Sequence, residues 1–152
     1  MALTRYAQPG TLGDKAPEPN LNYERIPKER YTSEEFMKLE WDHMWTKIWL
    51  RGGLSQDLPE PNSYITTEIG NWSIVMIRGE DEKVRAFYNV CKHRGNTLAQ
   101  SKRGVLNEGT FKCGYHRWQY NAMGKLVEAP DPETFPQGLC DPSLHLDELP
   151  CE

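Results

Sequence analysis

The sequence predicts a mainly β domain preceded by one amphipathic helix, and a change in the spacing of apolar residues supports that prediction. In YTSEEFMKLEWDHMWTKIWL (31–50) apolar residues recur at helical spacing. In SYITTEIGNWSIVMIRGEDEKVRAFYNV (63–90) they recur at nearly every second position. The turn residues Gly70-Asn71 and the segment 79–83 divide this second stretch into three short strands, which should pair antiparallel.

Size and composition describe an ordinary globular chain. The 152 residues suffice for one domain, and 38% apolar residues, 26% charged residues and a net charge of −4 give no basic excess that would favour nucleic acid as a partner. No apolar run reaches the length of a membrane span, and the N-terminus lacks a signal-peptide pattern, so we expect no membrane partner and a cytoplasmic location. Thiols stay reduced there, so the four cysteines are expected as metal ligands or ordinary thiols.

The helical segment begins with a capping-box pattern, because Glu35 follows Thr32 by three residues. Met37, Trp41 and Ile48 then form an apolar stripe, which we expect to pack into a core. The residues before this segment are rich in Pro, Gly and Ala without periodicity, which is typical of a flexible arm. The predicted organisation is a flexible arm over 1–21, a helical segment over 22–48 and the β domain over 49–152.

Further strands are predicted after the first three. Phe111-Lys112 and the segment 118–120 have strand character, and a turn over 121–124 leads to another strand at Leu126. From Ala129 onward the sequence is acidic and rich in proline, which predicts loop structure.

Two cysteines and two histidines lie close together as the pairs CKH and CGYH, at positions Cys91, His93, Cys113 and His116. Paired ligands of a structural zinc are usually separated by about two to four residues, and the first pair is tighter than that. A mixed-ligand [2Fe–2S] cluster instead takes one thiolate and one imidazole from each of two loops, on different irons. The neighbouring glycines, Gly95 and Gly114, suit tightly turning loops that bring N–H groups near the cluster sulfurs.

These pairs resemble the ligand motifs of a Rieske iron–sulfur domain, with Arg94 and Gly95 after the first pair and Tyr115 and Trp118 around the second. From about Asn22 onward, the chain resembles the N-terminal part of the large subunit of Rieske-type non-haem iron ring-hydroxylating oxygenases.

The resemblance implies a Rieske-type antiparallel β-sandwich over 49–152 that binds one [2Fe–2S] cluster. It implies that Cys91 and Cys113 hold the inner iron and that His93 and His116 hold the outer one. His116 would also face the electron exit. The residues implied to surround the cluster are Arg94, Gly95, Gly114, Tyr115 and Trp118.

The function implied by the resemblance is one-electron transfer from a ferredoxin or reductase to a mononuclear non-haem iron. The family consists of oxidoreductases, often trimeric, that use O2 and electrons derived from NAD(P)H. Its catalytic domain is not recognisable here, because His43 and His145 lie far apart without the motif of that iron site. We therefore expect no catalytic residues in this chain, and a partner domain or neighbouring subunit that carries the iron. A free-standing Rieske ferredoxin, which would generally lack the leading helix, and a structural zinc module are the alternatives.

Several positions depart from related Rieske sequences. Nineteen residues separate His93 from Cys113, which is longer than is usual in the family, and Arg117 replaces a more usual glycine. Asn96 and Tyr115 stand where respiratory Rieske proteins have a disulfide, and Trp118 stands in place of a hydroxyl donor. Fewer hydrogen bonds to the sulfurs would stabilise the reduced cluster less, which predicts a potential toward the low end of the Rieske range.

The segment 91–120 carries a net charge of +5, whereas the rest of the chain carries −9. Positive charge beside a cluster favours its reduced form and attracts acidic proteins. Lys92, Arg94 and Arg117 are therefore candidates for docking an acidic electron donor. The alternative is a solvated basic surface that balances an acidic body.

Overall fold

The computed structural model describes residues 25–152 and separates into a helical unit that ends at Leu50 and a β unit over Arg51–Glu152. The predicted arm over 1–21 lies outside the described residues. Nowhere in residues 25–152 does a helix combine the length and apolar character needed to cross a membrane.

The helical unit contains α1 (Glu29–Thr32) and α2 (Glu34–His43), followed by a 3-10 turn over Trp45–Lys47. The capping-box prediction is wrong about the capping residue. Ser33 has the extended backbone of an N-cap and its Oγ accepts a hydrogen bond from Phe36 N at 3.1 Å, whereas Thr32 is the last residue of α1. No residue of α2 is buried in the described part of the chain, so the expected core packing of its apolar stripe is not observed there.

The β unit contains a five-stranded antiparallel sheet in the spatial order β4-β1-β2-β3-β8. The strands are β1 (Ser63–Ile69), β2 (Trp72–Arg78), β3 (Val84–Tyr88), β4 (Arg103–Val105) and β8 (Glu148–Leu149). A second, three-stranded antiparallel sheet has the order β5-β6-β7. Its strands are β5 (Thr110–Lys112), β6 (Gln119–Asn121) and β7 (Leu126–Glu128). The predicted mainly antiparallel β class is confirmed. Strands β4 and β8 were not predicted.

Strand β2 is buried on both faces and separates two apolar clusters. Val75 and Ile77 belong to the larger cluster, which also contains both candidate cysteine ligands and the aromatic residues of the second sheet. Ile74 and Met76 point the other way, into a smaller cluster with Leu58 and residues of β1 and β3. The candidate ligands therefore lie at one margin of the larger core.

Candidate metal centre

Each predicted ligand pair lies in a loop at the end of a strand, as the sequence indicates. The first loop follows β3, and the second loop connects β5 and β6 within a hairpin. The first loop is anchored by Asn89, which is buried, and whose side chain both donates to Ala99 O and accepts from Ala99 N at 2.8 Å. These two bonds join the segments that enter and leave the loop.

Both loops close with the same pair of backbone hydrogen bonds. In the first, Cys91 N donates to Asn96 O at 2.8 Å, and the N–H of the fifth residue donates back to Cys91 O at 2.9 Å. In the second, Cys113 N donates to Trp118 O at 2.8 Å, and the N–H of the fifth residue donates to Cys113 O at 3.1 Å. We call this six-residue unit the ligand loop.

The fifth residue of each ligand loop has a left-handed backbone. In the first loop it is Gly95, with φ of +71°, where glycine adopts this conformation without steric cost. In the second it is Arg117, with φ of +60°. Arg117 has a Cβ, so it bears a steric strain at this position that a glycine would not. Gly114 has no such requirement, because a Cβ there would meet no protein atom within 4 Å.

The two candidate thiols are buried and free, each with 2% of its surface exposed. Burial raises the pKa of Cys91, and Cys113 raises it further, although hydrogen bonds from Tyr120 and from the His93 amide oppose these effects. Burial acts in the same direction on Cys113, but hydrogen bonds from the Tyr115 and His116 N–H groups, from Cys91 and from Asn96 together lower the pKa of this thiol. Each thiol shifts the pKa of the other, which places the two sulfurs beside one another.

The two candidate imidazoles lie side by side, with ring centroids 4.6 Å apart. His93 is exposed and His116 is half-buried. The Nδ1 atom of His116 is buried and has no hydrogen-bond partner. It is the one such buried side-chain nitrogen or oxygen found over residues 25–152. Burying a polar nitrogen without a partner is costly, and a bond from this atom to a metal would remove that cost.

Aromatic rings hold both imidazoles in place. Trp118 is buried and stacks on His93, with centroids 4.8 Å apart and planes 8° apart. Phe135 packs edge-on against Trp118, with ring centroids 5.5 Å apart. Tyr115 is 59% exposed, and its ring centroid lies 3.8 Å from that of His116. The two aromatic residues predicted near the site therefore contact the histidines directly.

Two hydrogen-bond donors to the sulfurs were missed in the sequence. The hydroxyl of Tyr120 lies 3.5 Å from Cys91 Sγ, and Asn96 Nδ2 lies 3.7 Å from Cys113 Sγ. The expectation that the site lacks a hydroxyl donor is therefore wrong. The strand pattern contained a signal for Tyr120, which lies two residues after Trp118 in the strand that leaves the second ligand loop.

The basic residues around the ligand loops differ in their surroundings. Lys92 forms an ion pair with Asp147, with Nζ 2.9 and 3.0 Å from the two carboxylate oxygens. Arg94 and Arg117 are exposed, and neither forms an ion pair with any described residue.

These groups fit a binuclear iron–sulfur cluster. Two buried thiols can supply thiolates to one iron, and two adjacent imidazoles, one with an unpartnered Nδ1, can supply nitrogens to the other. In residues 25–152, no group of three or more His, Cys, Asp or Glu side chains is placed to hold a single metal ion.

Comparison with known proteins agrees with this chemistry. The family model described as the Rieske [2Fe-2S] domain matches residues 48–143. The chain is 33% identical over 128 residues to toluate 1,2-dioxygenase subunit alpha of Pseudomonas putida, which covers 82% of this chain and 28% of that protein. It is 40% identical over 104 residues to the carnitine monooxygenase oxygenase subunit of Acinetobacter baumannii, covering 68% of this chain and 28% of that protein.

Solved structures give the same result. The apo form of the quaternary ammonium Rieske monooxygenase CntA superposes with a TM-score of 0.77 at 34% identity, covering 84% of this chain and 36% of that one. Naphthalene 1,2-dioxygenase with bound indole superposes with a TM-score of 0.68 at 30% identity, covering 75% of this chain and 25% of that one.

The chain spans less than a third of the length of the curated relatives named above. It belongs to the Rieske [2Fe–2S] domain family, and its cofactor is a Rieske-type [2Fe–2S] cluster.

Proposed function

We propose that this chain transfers single electrons through a [2Fe–2S] cluster held by Cys91, His93, Cys113 and His116. The observation that carries the proposal is the buried, unpartnered Nδ1 of His116, beside His93 and in the same loop system as two buried free thiols. Cys91 and Cys113 would hold the inner iron, and the two histidines the outer one.

The protein groups around these ligands have definable tasks. When bound, the cluster accepts and releases one electron at a time. The N–H groups of Tyr115 and His116 stabilise negative charge on Cys113, as its lowered pKa indicates. Stacking on Trp118 fixes the ring plane of His93. The exposed edge of His93 and the half-buried ring of His116 would give electrons a short path between the outer iron and the protein surface.

We further propose that the chain is the cluster domain of a ring-hydroxylating or related Rieske oxygenase. A ferredoxin or reductase would supply the electrons, and a mononuclear iron on a catalytic domain or neighbouring subunit would receive them. The matched relatives support this assignment over a free-standing ferredoxin, because their names describe oxygenase subunits.

The ligand assignment is tested with matched serine variants. We expect Cys113→Ser to lose iron, acid-labile sulfide and the visible absorption of the cluster, because serine oxygen replaces a thiolate. Cys140→Ser is the control, since this cysteine is exposed and outside the ligand loops. A Cys113→Ser protein with a full complement of iron and sulfide would refute the assignment.

The role of the histidines as ligands is tested by measuring the reduction potential of the cluster. His116→Cys replaces a neutral imidazole by a thiolate, so the core becomes more negative and its reduction potential should fall. The measurement is a spectroscopic redox titration, together with the electron paramagnetic resonance spectrum of the reduced state. An unchanged potential and spectrum would remove His116 from the ligand set.

The donor site is assigned to Arg94 and Arg117. The charge of Lys92 is compensated by Asp147, whereas these two arginines are exposed and without ion-pair partners among the described residues. We expect Arg94→Gln and Arg117→Gln each to slow reduction by an acidic [2Fe–2S] ferredoxin and to weaken the dependence of its rate on ionic strength. Lys83→Gln, in the turn at the opposite end of β3 from the first ligand loop, is the control. Equal rates for all variants at low salt would refute the docking assignment.

A further inference from the structure

The ion pair of Lys92 lies within the first ligand loop. Lys92 occupies the single position between Cys91 and His93, and its ammonium contacts both carboxylate oxygens of Asp147 at 2.9 and 3.0 Å. The partner comes from 55 positions later in the chain. An ammonium that would otherwise leave a full positive charge beside a cluster ligand is thereby compensated.

Asp147 is presented by an anchored segment. Its carbonyl oxygen accepts a hydrogen bond from Tyr88 N at 3.2 Å, and the preceding Leu146 N donates to Gly124 O at 2.8 Å. The Leu146 side chain is 6% exposed and belongs to the larger core. The carboxylate is therefore held from the strand that leads into the first ligand loop and from the turn between β6 and β7.

The backbone of Lys92 takes part in a second contact. Its N–H donates to the hydroxyl oxygen of Tyr120 at 3.2 Å, and that oxygen lies 3.5 Å from Cys91 Sγ. Because the hydroxyl oxygen accepts from the amide, its own hydrogen is available to donate to the sulfur. A continuous series of contacts therefore joins Asp147, Lys92, Tyr120 and Cys91.

We propose that Asp147 is a positioning residue that sets the reduction potential of the cluster by compensating the charge of Lys92 and fixing the first ligand loop. The inference rests on the proposed ligand set. The two substitutions should shift the reduction potential in opposite directions. Removing the carboxylate leaves a positive charge that favours the reduced cluster, and removing the ammonium leaves a negative charge that disfavours it.

The test is a double-mutant cycle read out by the midpoint potential of the cluster-containing protein. Both partners are partly exposed, with side chains 28% and 57% accessible, so water screens the effect. We expect Asp147→Asn to favour reduction by about two- to fivefold, which is about 18 to 41 mV upward, and Lys92→Gln to disfavour it by a similar factor. The double variant should return close to the original potential.

Two further variants separate charge from structure. Asp147→Glu keeps the charge and should keep the potential. Asp81→Asn removes a carboxylate from a similar ion pair, with Arg85, near the β2–β3 turn, and should leave the potential unchanged.

The inference is overturned if both single variants hold a full cluster and show the original potential, or if they shift in the same direction. It is equally overturned if both lose the cluster and the double variant does not regain it, because the pair is then only structural. Absence of iron and sulfide from the unaltered protein would instead refute the ligand set itself.

Discussion

Replacing Arg117 by glycine should stabilise the second ligand loop. A residue with a Cβ costs roughly 1 to 2 kcal/mol in the left-handed region that Arg117 occupies at φ +60°. Glycine avoids that cost but loses about 0.5 to 1 kcal/mol through the greater freedom of the unfolded chain. The matched comparison is with Arg117→Ala, which also removes the guanidinium but keeps the Cβ. We expect the glycine variant to be more stable than the alanine variant by about 0.5 to 1 kcal/mol.

The assay is thermal unfolding of the cluster-containing proteins at one fixed scan rate, so that all midpoints are compared under the same conditions. For a chain of 152 residues, a stability difference of about 1 kcal/mol corresponds to a shift of about 2 to 4 °C in the midpoint. The equivalent position supplies a reciprocal control. A Cβ at Gly95 would meet only Val90 Cγ2, at 3.9 Å, so Gly95→Ala should lower the stability of the protein by about 0.5 to 1 kcal/mol through backbone conformation alone. If Arg117→Ala is as stable as Arg117→Gly, the backbone at this position is not strained by a Cβ.

Three other predictions concern the hydroxyl, the core and the surface of the β unit. Tyr120→Phe removes the hydroxyl donor to Cys91. If this bond favours the reduced state by about 1 kcal/mol, the reduction potential of the variant should be about 40 mV lower, and that of the control Tyr115→Phe should not change. Equal potentials for Tyr120→Phe and the original protein would contradict the prediction. Leu146→Ala should destabilise the fold by about 2 to 4 kcal/mol, because the side chain is buried, and a thermal midpoint equal to that of the original protein would count against this packing. Hydrogen bonding to Arg85 of β3 lowers the pKa of the Asp81 carboxyl from 3.8 to about 2. The contribution of this carboxylate to the stability of the folded protein should therefore be complete above about pH 4 and lost as the pH falls toward 2. An NMR titration of the carboxyl with a midpoint near 3.8 would disprove this.

The longer strands were predictable from the sequence, and the unpredicted ones are too short to carry a pattern. Strands β1 to β3 have five to seven residues, are rich in apolar residues and are separated by turn residues. Strand β4 is a three-residue edge strand with one glycine, and β8 has two residues. Their strand character depends on pairing with β1 and β3, which only the folded sheet provides.

The candidate ligands and two neighbouring aromatic residues, Tyr115 and Trp118, could be proposed from the sequence, whereas other groups around the ligands could not. The pairing of Lys92 with Asp147 joins residues 55 positions apart, and nothing local in the sequence marks it. The conformational role of Arg117 also depends on the backbone of the closed loop. Short-range patterns thus predict the candidate ligands, while several of the groups around them are brought together only by the tertiary structure.

The shared closure of the two ligand loops has a consequence for the exposure of the two candidate imidazoles. Both loops start at the cysteine and close at the sixth residue, yet the histidine is the third residue of one and the fourth of the other. The loops have the same length, so the histidine is displaced by one position within the same closed turn, and the two imidazoles have different environments, one exposed and one half-buried. The near-symmetric frame therefore places the two candidate imidazoles at different depths, and His93 offers more of its ring to solvent than His116 does.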